Sequence, residues 1–136
     1  MKYLFFIIGA LLFAPLQSEA QLTDSSELLK SKYPIGYSVV RANAVEDWAG
    51  DNSMIVYNIN KECDSFIDVM AHLGAAVESV DSDYFAVIAS SFEQWGEGVA
   101  SNQILNILKE SENPIGDYFA LDCTWSMVLY NIEKLV

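Results

Sequence analysis

Along this chain apolar residues recur at helical rather than alternating spacing. The clearest run is 53–80, where Ile55, Ile59, Cys63, Phe66, Met70, Leu73 and Val77 follow one another at steps of three or four, which sets one apolar stripe on one face of a helix. A helix of that length is not stable alone in water, so its stripe must lie against other parts of the chain. A second clean pattern covers 84–95, where Phe85, Ile88, Phe92 and Trp95 keep the same steps and Val99 continues them. Asp81-Ser82-Asp83 supplies short side chains that cap a helix start, and Gly96 and Gly98 loosen its end.

The remaining segments divide by the same signs. Residues 21–32 read as a short helix with Asp24 at the cap and Glu27 three residues on, stopped before Pro34. Tyr33-Pro34-Ile35-Gly36 then reads as a turn. In 37–49, Val40, Ala44, Val45 and Trp48 fall at helical offsets and predict a helix, while the β-branched residues at its centre leave a strand through 37–40 open. Asn52 or Ser53 can cap the long helix after the break at Gly50. Ser101-Asn102 restarts a shorter helix bearing Ile104, Leu105 and Leu108, and Asn113-Pro114-Ile115-Gly116 reads as a turn. The last segment, 117–135, has one apolar track through Phe119, Cys123, Met127 and Tyr130 and another through Leu121, Trp125, Val128, Ile132 and Leu135. Apolar residues on both sides fit a helix buried between neighbours or placed at a contact between two copies of the chain. With no repeat, low-complexity tract or linker, 21–136 reads as a single all-α domain, a compact bundle of four to five helices.

The first twenty residues change the picture. Lys2, the apolar run 4–14 and Ser18-Glu19-Ala20 have the order of a secretory signal peptide, cut after Ala20. The run is too short to span a bilayer, so no stable membrane insertion is expected after cleavage, and the mature domain is read as periplasmic or secreted. Removing 1–20 takes away one Lys and one Glu, so the net charge stays at −12. Most of that charge serves a solvated acidic surface. The partner it favours is a basic protein, and nucleic acid is excluded because phosphate binding needs Lys and Arg clusters that this chain lacks. In an oxidising compartment the two cysteines, Cys63 and Cys123, are expected to form a disulfide, the alternative being two buried free thiols. That link closes a loop of about 60 residues, worth roughly 4 kcal/mol against the unfolded chain.

Candidate chemistry is sparse. The single histidine, His72, lies beside the apolar stripe of the long helix, and a catalytic role would require a nucleophile or metal assembled around it. One His and two distant Cys give none of the short spacings of a zinc site. Asp64 and Asp68, like Glu93 and Glu97, stand four apart on predicted helices, which fits a solvated face better than a cation site. The stretch 47–53 has fragments of a calcium-loop composition without its ordered spacing, and no phosphate-cradling glycine loop or nucleophile elbow occurs. No enzyme activity, cofactor or metal is therefore expected. Most aromatic residues belong in the core. Trp95, flanked by Glu93 and Glu97 and followed by glycines, is the candidate for a partner-binding patch, because interface anchors are often Trp or Tyr.

Certain segments resemble small periplasmic two-cysteine proteins of Gram-negative bacteria. ALDCTWSMVLYNIEKLV at the end of the chain, with ECDSFI upstream, is similar to the type VI secretion amidase immunity proteins, although Thr124-Trp125-Ser126 stands where those carry a His-Ser-type element. CDSF at Cys63 and WGEGVASN from Trp95 to Asn102 resemble the HdeA-like proteins, which include acid-stress chaperones. The first resemblance implies a non-enzymatic inhibitor of a peptidoglycan amidase, and the second implies a chaperone active at low pH.

Overall fold

A computed structural model describes residues 21–136, and the signal peptide read in 1–20 lies outside them. Among the described residues there are seven helices: α1 (Asp24–Lys32), α2 (Pro34–Asp47), α3 (Asn52–Glu78), α4 (Ser82–Trp95), α5 (Ser101–Glu110), α6 (Pro114–Phe119) and α7 (Trp125–Leu135). The all-α expectation holds, but the count exceeds the expected four to five. Two of the helices start on the same tripeptide. Pro34-Ile35-Gly36 and Pro114-Ile115-Gly116 do not turn the chain; each forms the first turn of a helix, with Pro at its start. Proline suits that position because its missing N–H would have no partner there and its φ is already helical. The two short segments also pack on each other. A Cβ on Gly36 would sit 2.4 Å from the Phe119 ring, and one on Gly116 would sit 3.0 Å from Tyr33.

The stripe of 53–80 becomes α3, around which the rest is arranged. Asp51 caps it, its carboxylate accepting from the Met54 N–H at 3.1 Å, one residue ahead of the expected cap. Ile59, Cys63, Phe66 and Leu73 are buried as the pattern requires, joined by Val69 and Ala76, whereas Val77 is 43% exposed. The straight 3.6-residue period therefore leads the stripe off the core in the last turn, where Ala76 takes its place. Phe66 reaches the Phe119 ring at 4.4 Å and the Trp125 ring at 4.8 Å, and Phe92 reaches Trp125 at 5.3 Å. These rings, all fully buried, tie α3, α4, α6 and α7 together. Aromatic pairs of this kind are worth roughly 0.5–1.5 kcal/mol each beyond the area they bury. In the segment 37–49, residues 37–47 are helix as part of α2 and the last two lie in the turn that follows, so the strand left open through 37–40 does not form.

Two further expectations are corrected. The segment 117–135 is not one helix, since α6 ends at Phe119 and α7 starts at Trp125. Cys123 lies in the link, where it forms an isolated antiparallel bridge with Gly96. Nor are Cys63 and Cys123 bonded, both being buried free thiols. They have different neighbours: Cys63 has the Ser26 side chain of α1 beside it, and the Cys123 sulfur lies 4.0 Å from the Phe92 carbonyl oxygen of α4. Packing, with no covalent staple, joins α3 to the C-terminal segment.

A polar cleft at the meeting of three segments

The helix α4 stops at Trp95 because Gly96 turns to extended backbone. From there the chain runs against the α6–α7 link, the Thr124 N–H donating to the Trp95 carbonyl at 2.9 Å and the Glu97 N–H to the Asp122 carbonyl at 2.8 Å. Residue 96 must be glycine for this approach. A Cβ there would stand 2.7 Å from the Phe92 carbonyl oxygen and 2.9 Å from the Cys123 sulfur, closer than atoms pack.

The pairing sets Glu97, Asp122 and Thr124 opposite the last turn of α2, so that with Asn43, Glu46, Asp47, Gln94 and Trp95 they enclose an open cleft of about 560 Å³. Four carboxylates line it and no basic side chain does. The Asn43 side-chain amide donates to the Asp122 carboxylate at 2.8 Å, which fixes one wall. An inner recess of about 260 Å³ shares Asn43, Asp47 and Thr124 with the cleft and adds Lys61, Glu62 and Cys123. Glu62 is buried, and both its carboxylate oxygens lie 3.3 Å from the Ser126 N–H. It thus caps α7 from another helix, where Thr124 makes no side-chain cap of its own, and a carboxylate at a helix start is favoured by the free N–H groups and the dipole.

The residues singled out from sequence fare differently. Trp95 and Glu97 line the cleft, while Glu93 is exposed on α4 and does not. The helical spacing assumed for Glu93 and Glu97 fails because α4 has already ended. Trp95 is half-buried, packs against the core, and its indole Nε1 is buried without a hydrogen-bond partner among the described residues. Asn43, Glu46 and Asp122 gave no signal, since nothing local marks residues that meet only through the 96–123 bridge. Asp47 had been noticed only within the calcium-like fragment.

His72 lies elsewhere. Its Nδ1 is hydrogen-bonded to the Tyr84 hydroxyl, and its Nε2 is 3.6 Å from the Glu133 carboxylate. The trio joins α3, α4 and α7, and none of the three lines the cleft or its recess.

The four carboxylates give the cleft a negative potential. Among the described residues no three His, Cys, Asp or Glu side chains converge as metal ligands. Burial pushes the Cys123 thiol up to about 12 and the Cys63 thiol up to about 11, which keeps both protonated and poor as nucleophiles. No helix among the described residues is long and apolar enough to cross a membrane. Neither a protein-family model, nor a curated protein, nor a solved structure matches the chain.

Proposed function

We propose that this chain is a non-enzymatic periplasmic binding protein of the immunity or inhibitor type, which neutralises a partner protein by receiving a basic element of it in the polar cleft. The observation that carries this reading is the charge of the cleft: Glu46, Asp47, Glu97 and Asp122 line it, with no basic side chain among the described residues that do. Holding like charges together raises the energy of the free surface, and a Lys- or Arg-bearing partner relieves it while its approach is steered by the overall charge of −12. The resemblance of the C-terminal segment to amidase immunity proteins makes a peptidoglycan amidase the target to try first.

The experiment is an inhibition assay. Purified domain is added to a type VI peptidoglycan amidase, and release of cleavage products from sacculi is followed. Stoichiometric inhibition is expected, weakened about tenfold by each of Asp47→Lys and Glu97→Lys. Full amidase activity in excess domain would overturn that target, and inhibition indifferent to both reversals would overturn the cleft. Trp95→Ala is a poorer probe, because Trp95 also packs against the core.

A second reading, a chaperone of the acid-stress kind, is favoured by the balance of titratable groups. At about pH 3 most exposed carboxylates are neutral, so the basic residues dominate, the charge reverses, and apolar surface is released. Suppression of client aggregation at that pH, absent at neutral pH, separates it from the first reading.

A further inference from the structure

At the other end of α4 the surface is of the opposite kind. The second half of α3, the start of α4, and α5 and α6 enclose an open groove in two stretches of about 590 and 310 Å³, continuous because Val77 and Leu108 line both. Val77 is 43% exposed and Leu105 38%, and the lining is otherwise almost wholly apolar. From Met70 to Val80 the α3 side runs about 15 Å, the rise of roughly three helical turns.

Three observations say what covers it. The only charged side chains lining the groove are Glu78 and Asp81, both acidic, and Lys109, next to Leu108 in sequence, does not line it. Apolar length with an acidic rim is complementary to apolar side chains flanked by Lys or Arg. Second, Val80, which lines the groove, is 88% exposed and held at φ 54°, the non-glycine residue found at positive φ among the described residues. A β-branched residue is strained there, and the turn itself asks for Gly or Asn. An apolar side chain kept at full exposure against that cost fits a residue that a partner covers. Third, a second copy is a poor occupant, since a two-fold pairing through this face brings Glu78 and Asp81 of one chain towards the same residues of the other, with −12 on each side.

The geometry points to a docking groove for an amphipathic helical segment of a partner protein, whose apolar stripe lies along Leu73, Val77, Val80, Phe85, Leu105 and Leu108 and whose Lys or Arg residues meet Glu78 and Asp81. A helix fits because the groove is formed between helix faces, with no sheet edge beside it to extend, and because its length matches anchors at i, i+3, i+4 and i+7. This inference does not rest on the cleft and survives if the cleft reading fails.

The probe is a fluorescein-labelled leucine–lysine peptide of about 14 residues in helical order, enough for four turns, beside the same peptide with glutamate for every lysine. Fluorescence anisotropy should show saturable one-to-one binding of the leucine–lysine peptide alone, weakened about tenfold by Val77→Ser and by Leu105→Ser. Both positions are exposed, so circular dichroism should show an unchanged fold. Equal binding of the glutamate peptide would overturn the charge argument. Binding indifferent to Val77→Ser but lost in Glu97→Gln would place the peptide in the cleft and overturn the groove. Dimers in sedimentation that Val77→Ser splits would make a second copy the occupant and overturn the partner.

Discussion

The cleft and the groove lie at opposite ends of α4, yet they are made in different ways. The cleft is assembled from three segments far apart in sequence, 43–47, 94–97 and 122–124, held by two backbone hydrogen bonds and a glycine that admits the close approach. The groove is written on helix faces, by residues such as Val77 and Leu108 whose neighbours one turn away are core. A surface made of loops is only as firm as the bridge beneath it. A surface made of helix faces persists as long as the helices do, and its character can be changed one side chain at a time. Damage to each end should therefore look different.

The largest expected effect acts on both ends together, through groups that the fold holds protonated. Burial raises Cys63 to about 11, Cys123 to about 12 and Tyr118 to about 12. Cys123 sits in the recess of the cleft, and Tyr118 lines the groove while its hydroxyl donates to the Ile104 carbonyl at 2.9 Å. In the unfolded chain these groups ionise near their ordinary values of about 8.5 for a thiol and 10 for a phenol. Between those values and the raised ones the folded state binds more protons than the unfolded state, so stability falls as pH rises. The loss by pH 11 is on the order of 5 kcal/mol, enough to unfold a domain of ordinary stability. Urea midpoints should be steady below about pH 8.5 and fall steeply above it, and the fall should be shallower in Cys63→Ala/Cys123→Ala. A midpoint equal at neutral pH and pH 11 would contradict the burial of all three. In the native protein neither thiol should react with a maleimide, and both should react in denaturant without any reductant, since no disulfide joins them.

The next effect falls on the cleft alone. Gly96→Ala puts a methyl group against the Phe92 carbonyl oxygen, the Val99 side chain and the Cys123 sulfur, and the first of these is backbone that cannot swing aside. A cost of about 2–3 kcal/mol is expected, in the range of overpacked cores. The strain is relieved most cheaply by parting the 96–123 bridge, so amide exchange at Glu97 and Thr124 should quicken far more than at the buried turns of α3. Affinity of the groove for the leucine–lysine peptide should be unchanged. Parallel loss at both ends would show that the two surfaces are not independent.

That asymmetry also explains what could be read from the chain in advance. The stripe of α3, the steps of α4 and the cap at Asp81 were legible because a helix repeats its instruction every three or four residues. The groove was half legible, since Val77 and Leu105 were already in those patterns and only the drift of the stripe off the core was hidden. The two Pro-Ile-Gly helix starts were misread because proline followed by glycine has turn composition, although proline at the first helical position was the competing signal. The cleft was visible only at Trp95 and Glu97. Asn43, Glu46 and Asp122 meet there through a long-range bridge that no local pattern encodes, and the two cysteines, expected to be joined, are free thiols with different neighbours, which no local pattern encodes either.

The smallest effect is the one that separates stability from binding at the groove. Val80 closes the turn between α3 and α4, where the Asp81 N–H donates to the Ala76 carbonyl at 3.0 Å and the Val80 N–H to the Val77 carbonyl at 3.2 Å. This closure puts residue 80 in the left-handed region at φ 54°, where a β-branched side chain costs roughly 1–2 kcal/mol and glycine costs nothing sterically. Part of the gain on replacing it is returned through the greater freedom of glycine in the unfolded chain. Val80→Gly should therefore raise stability by about 1 kcal/mol, read as a higher thermal midpoint, and should at the same time weaken capture of the leucine–lysine peptide, because the most exposed apolar side chain of the groove is gone. The opposite signs matter. A residue kept only for folding would lower both readouts when removed, and a residue kept for nothing would raise the first and leave the second alone; a more stable protein with a poorer groove is the outcome that ties the strain at Val80 to docking.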